Sequence, residues 1–151
     1  MHSGHKIFFV LALAFASGGA SAQNGSISQQ LTDHKAKAER MHPHDRGQIY
    51  AEIAHELVDI ADQQYANNEF DKAEASIKEA AQFAERAVAA TQEHHKKMKE
   101  TEINLRKCER RLEELRRSLA VDDQPPVKSA EDRVIQLRKD LLAAMFAPDK
   151  K

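Results

Sequence analysis

Tryptophan is absent from this chain of 151 residues, cysteine occurs once, glycine five times and proline four times. A lone Cys108 excludes an internal disulfide. Scarce glycine excludes a fold built from many tight turns, and the runs of β-branched and aromatic residues that strands need are missing as well. Beyond residue 22 the aromatics are Tyr50, Tyr65, Phe70, Phe83 and Phe146, too few to line a large ligand cavity of the usual apolar kind. An excess of charge of one sign is also lacking: 23 Lys and Arg face 24 Asp and Glu, for a net charge of −1. That balance argues against a general nucleic-acid binder and against an acidic disordered tail. No nucleophile elbow, phosphate loop or carboxylate pair on a defined scaffold is present. The chain therefore reads as non-enzymatic, with no catalytic residue to name.

Residues 1–22 carry the pattern of a cleavable signal peptide. Lys6 supplies a positive start, residues 7–16 form an unbroken apolar run, and Ala20, Ser21 and Ala22 place small residues before a cleavage point at Gln23. Ten apolar residues span only ~15 Å as a helix, about half the hydrocarbon core of a bilayer, so a stable membrane anchor is not expected. The expected address is the periplasm or the extracellular space, with residues 23–151 as one domain.

Ala, Glu, Lys, Gln, Leu and Arg, the strong helix formers, dominate that domain, so the fold class is all-α. From Phe70 to Leu119 apolar and small residues recur at alternating intervals of three and four. This is a heptad seam that predicts one helix of about 50 residues over 70–119. Its centre is polar, with Thr91, His94 and Thr101 on the seam. Pairs in the order Glu93 to Lys97, Glu102 to Arg106 and Glu113 to Arg117 support it at ~0.2 to 0.5 kcal/mol each. A helix over 45–66 with Asp45 and Gln48 as a capping box, and one over 129–146 opened by Ser129 and Asp132 after a break at Pro125 and Pro126, would cover its ends. A further helical segment is expected over 27–42. The architecture is then an elongated antiparallel bundle of hairpins around one long helix.

Around Asn67, Asn68 and Glu69 the pattern resembles one tetratricopeptide repeat. Leu57, Ile60 and Ala61 stand where the first helix of that motif packs, and Asn68 holds the turn position usually given to glycine. Phe70, Ala73, Ile77 and Ala80 match its second helix. Gln64 departs from the family pattern, no proline closes the second helix, and no second copy follows. The resemblance implies a helical hairpin and a role in binding proteins; the whole resembles small exported bacterial helical proteins.

Residues 45–92 hold ten acidic and four basic side chains, and residues 93–117 six acidic and nine basic. The contrast suggests head-to-tail association of two chains, a basic stalk from Lys96 to Arg117 that touches anionic lipid, or a solvated helix face; without interleaved aromatics, nucleic acid is not an expected partner. Four imidazoles offer a sharper possibility. If the chain before Asn67 runs antiparallel to the long helix, His42 faces His94 and Met41 faces His95, so that His42, His44, His94 and His95 gather with Met41 and Met98 nearby. Such a set suits Cu or Zn. Cys108 lies on the seam, expected as a buried inert thiol, or as the link in a homodimer. Phe83 and Val88 lie off the seam and are the expected partner-binding residues. The function expected is thus an exported protein–protein interaction or scaffold module of unidentified partner, the alternatives being metal binding and chaperone-like holding of exported clients.

Overall fold

The computed structural model describes residues 20–147. The proposed signal peptide lies outside the described residues apart from Ala20, Ser21 and Ala22, which open the first helix. Five helices follow one another: α1 (Ala20–Arg40), α2 (Arg46–Ala66), α3 (Phe70–His94), α4 (Met98–Ser118) and α5 (Gln124–Met145). Short 3₁₀ turns, Pro43–Asp45 and Val121–Asp123, lead into α2 and α5. The described residues contain no strand, and the protein is an all-α bundle.

The expected 50-residue helix is two helices. His95 and Lys97 both adopt left-handed backbone, with φ of 50° and 58°, and the chain reverses between α3 and α4. No glycine or proline marks the place. A left-handed residue with a Cβ costs ~1–2 kcal/mol, so packing rather than local preference imposes this turn. The seam itself persists across it: Ala73, Ile77, Ala80, Ala84, Ala87 and Thr91 on α3 are buried, as are Thr101, Leu105, Cys108, Leu112 and Leu115 on α4. The polar centre is closed, because Thr91 and Thr101 are fully buried and their hydroxyls share a hydrogen bond of 3.1 Å. Of the three expected intrahelical pairs, Glu102 with Arg106 and Glu113 with Arg117 form. Glu93 and Lys97 now lie on either side of the turn.

Two antiparallel hairpins result, α2 with α3 and α4 with α5. Their mutual orientation is fixed by cross-hairpin bonds. Asn104 reaches Glu52, and Arg111 reaches Asp59 at 2.6 Å and also Asp62, so α4 runs parallel to α2. Arg133 bonds Glu85 at 2.7 Å and Gln92 reaches the Asp140 carbonyl, so α5 runs parallel to α3. The hairpins therefore stack side by side in the same sense, α2 on α4 and α3 on α5, while α3 and α4 touch each other little. The opposite charges of residues 45–92 and 93–117 meet inside one chain, and the α2–α4 contact uses the complementarity that suggested two chains.

Helices α2 and α3 approach closely at Gly47. A Cβ on Gly47 would collide with the Thr91 hydroxyl and crowd the Ala87 carbonyl, so the small residue lets the helices meet. The core beyond is aliphatic, with Ile53, Leu57, Ile77, Leu105, Leu112, Leu115 and Leu141 nearly or wholly enclosed. Each such side chain contributes ~1.5–3 kcal/mol by leaving water. Asn68 takes the left-handed conformation expected of it, at φ 59°.

Helix starts depart from the expected signals. Asp45 precedes α2 but its side chain makes no cap bond, because the 3₁₀ turn already delivers the chain in helical conformation. Pro125 and Pro126 lie inside the first turn of α5 rather than before it, where a missing N–H costs nothing. Ser129 and Asp132 are interior to that helix, and Asp132 pairs with Lys128. The segment expected over 27–42 is the latter part of α1. It docks on α2, with Ala38 in the core and Leu31 and Met41 packed against it.

Candidate functional site

The hairpin geometry carries α3's last turn to the start of α2, and there the imidazoles collect. His42 and His44 flank Pro43 on the 3₁₀ turn; their rings stack with centroids 4.8 Å apart. The His94 ring meets that of His44 edge-on at 6.2 Å. The facing expected for His42 is thus taken by His44, a shift of two residues within the same antiparallel arrangement. His95 does not join the rings. It occupies the left-handed C-cap of α3 and is exposed. His44 approaches Asp45 at 3.2 Å, and His94 lies 3.9 Å from the well-exposed Glu93 carboxylate. Met41 and Met98 are half-buried at this end, as expected. Met145, in the last turn of α5, is also half-buried against the core. Among the described residues, no three His, Cys, Asp or Glu side chains stand grouped as a cation site.

The expected partner-binding residues do not form a surface. Phe83 is 8% exposed and Val88 4%. The Phe83 ring packs 5.7 Å from that of Tyr50 on α2, with Lys35 of α1 at 5.5 Å and Arg86 at 5.1 Å over it. Off-seam position suggested an open face. In the bundle α3 packs against both α2 and α5, and α1, which docks on α2, reaches α3 through the Lys35 side chain. The large apolar side chains left exposed are Phe70, Ile103, Val121 and Phe146.

An open groove does exist where α3 and α5 lie side by side. It encloses about 580 Å³ over a floor containing Ile77, Ala81, Pro126 and Ala130. Asp71 and Glu74 form one stretch of its rim, Lys78 and Arg133 another. Arg133 is committed to Glu85, whereas Asp71, Glu74 and Lys78 make no ion pair among the described residues. The uncommitted rim is therefore negative by one charge. Sequence patterning could not reveal this groove, since it arises from the parallel stacking of the hairpins.

A second polar site was also missed. His34 of α1 bonds Glu56 of α2 at 2.6 Å, within a pocket that includes Glu52, His55, Asn104 and Lys107. The other carboxylate oxygen of Glu56 is buried without a partner. Burial pushes the Glu56 pKa above the ordinary glutamate value, against the attraction of His34. The spacing of Glu52, His55 and Glu56 puts all three on one side of α2, a signal available in the sequence.

Cys108 is fully buried beside the α2–α4 contact, and burial, with Asp59 and Glu109 adding to it, pushes its pKa up to about 12. At neutral pH it is a thiol, not the reactive thiolate. A disulfide to a second chain would require the core to open. Among the described residues no helix is long and apolar enough to cross a membrane. Comparisons with family models, with curated proteins and with solved structures find no match for this chain.

Proposed function

We propose that the protein is an exported, non-enzymatic interaction module that receives a segment of a partner protein in the groove between α3 and α5. The observation that carries this reading is the groove itself: an apolar floor beneath a charged, largely uncommitted rim. Its occupant is a short segment with small apolar side chains and a Lys or Arg directed at Asp71 and Glu74. Desolvated apolar contact supplies affinity in such an arrangement, and the charged rim sets register. The hairpin pattern that resembles a tetratricopeptide repeat supports the same class of function, and the pattern of residues 1–22 supports export.

The test is site-specific photocrosslinking in the cells that make the protein, with p-benzoylphenylalanine in place of Ala81 or, as a control, of Glu114 on α4. A discrete adduct from position 81 alone is expected. Asp71→Lys with Glu74→Lys should reduce it at least tenfold without shifting the unfolding midpoint by more than a few degrees. Equal adducts from both positions, or an adduct indifferent to the rim charges, would remove the groove from consideration.

The ring assembly favours a second reading, a soft metal ion at the imidazole end. His42, His44 and His94 would offer imidazole nitrogens once their rings turn out of the present stack, and Met41 or Met98 would complete a set that suits Cu(I) better than Zn(II). Calorimetric titration with Cu(II), Zn(II) and Ag(I), the last standing in for Cu(I), tests it against a variant with Ala at the three histidines. Stoichiometric binding lost in the variant supports the reading; absence of heat, or heat the substitutions leave unchanged, retires it.

A further inference from the structure

The α3–α4 connection is built from residues that would equally continue a helix. Residues 94–98 read His, His, Lys, Lys, Met, with neither glycine nor proline, yet two of them are held left-handed. The 3–4 alternation continues through Thr91, His94, Met98 and Thr101 without a phase shift. Locally, then, the sequence specifies a helix; the reversal exists because the two hairpins have complementary faces and a three-residue connection to fold back through.

Those faces do not require the same chain. α3 and α4 touch little, so straightening the connection gives up little direct packing between them. What binds the hairpins is the α2–α4 and α3–α5 contact, including Arg111 with Asp59 and Asp62 and Arg133 with Glu85. With residues 95–97 helical, α3 and α4 form one rod of ~70 Å, and the hairpins sit at its two ends. Two such rods, lying antiparallel and crossing near Lys96, place α2–α3 of each chain against α4–α5 of the other. The internal directions are preserved: α2 still runs parallel to α4 and α3 to α5. Even the Thr91 and Thr101 hydroxyls meet again, now across the two-fold axis, because their positions are symmetric about residue 96.

We propose that this chain forms a two-fold dimer by exchanging its hairpins through helical straightening of residues 95–97. The partner is a second copy of the chain, and the interface is the one already present inside the monomer. Exchange relieves both left-handed residues in each chain and opposes that gain with the entropy of association, so the dimer gains on the monomer as concentration rises. Passage between the two forms requires the hairpins to part, which makes it slow at ordinary temperature and fast on refolding.

The test uses the full chain in two complementary charge variants. One carries Asp59→Arg and Asp62→Arg, the other Arg111→Glu; in each, the α2–α4 contact within the chain, or between identical chains, opposes like charges. Only exchange between the two restores opposite charges at both contacts. Refolded together at about 100 μM, they should yield a 1:1 dimer by light scattering and native mass spectrometry. Refolded apart, they should remain monomeric or poorly folded. A second pair probes the connection in the otherwise native sequence. Ala at residues 95–97 should lower the dimer dissociation constant at least tenfold, and His95→Gly with Lys97→Gly should raise it at least tenfold. A mixture that contains no heterodimer, or a dissociation constant unmoved by either change at residues 95–97, overturns the proposal.

Discussion

Glu56 and Glu102 are both glutamates whose carboxylates are drawn largely out of water, and the bundle treats them in opposite ways. Glu102 on α4, with a side chain 5% exposed, accepts hydrogen bonds from Arg106 on its own helix and from Arg138 on α5. Arg138 extends the network to Glu109. Desolvation works to raise the Glu102 pKa, yet the two guanidinium groups override it and hold the carboxyl below its ordinary value. Among the described residues Glu56 has one hydrogen-bond partner, His34, and a second oxygen with none, and there desolvation prevails. The difference teaches what a buried charge needs. One guanidinium fork can engage both oxygens of a carboxylate, whereas one imidazole nitrogen engages a single oxygen.

The largest effect should come from breaking the better-satisfied side. Glu102→Ala removes the acceptor of two arginines and leaves Arg138, 18% exposed, with Glu109 alone. A loss of ~3 kcal/mol is expected, read as a lower urea midpoint with an unchanged slope. Next in size is the acid limb. Since the folded pKa of Glu102 is depressed, its contribution is complete above the ordinary glutamate range and is lost as pH falls through the folded value. Glu102→Gln should therefore flatten the decline in stability on acidification, and an unaltered acid limb would show that the network carries little of it. The smallest effect should come from Glu56→Gln, a change within about 0.5 kcal/mol at neutral pH, because the replacement gives up a poorly solvated charge. Its signature lies in the pH dependence, which has the opposite sign. With a raised folded pKa, the Glu56 contribution is present below the ordinary value and is lost as pH rises through the folded one. Thermal melts across that window should lose this downward slope in Glu56→Gln and keep it in Glu102→Gln.

The legibility of the molecule divides along the same line between local and tertiary causes. Helical class, the extent of α2 and nearly every buried position on the seam follow from composition and period, and the turn at Asn68 is implied by the resemblance to a tetratricopeptide repeat. The reversal at residues 95–97 does not, because the residues that make it favour the helix and only the docking of distant faces compels the turn. Pro125 and Pro126 misled for a different reason. A proline that breaks a helix and one that begins it look alike until the upstream boundary is known. Phe83 and Val88 lie off the seam yet are buried, because α3 packs against both α2 and α5 and a seam marks only one of those faces. At the candidate sites, the approach of His44 and His94 was nearly within reach of antiparallel numbering. The α3–α5 groove lay beyond reach, being a property of how two hairpins stack.

Cys108 gives the chain a built-in clock. Its thiol is the only one in the sequence, it is sealed at the contact where α4 meets α2, and no other sulfhydryl competes for a reagent. The rate at which a thiol-specific label accumulates under native conditions counts the moments at which the hairpins part. If the chain is exported as proposed, the same count is its exposure to damage in an oxidising compartment: each opening presents a lone thiol that any stray disulfide can capture. The contact that holds the hairpins together would thereby also set the chemical lifetime of the chain there.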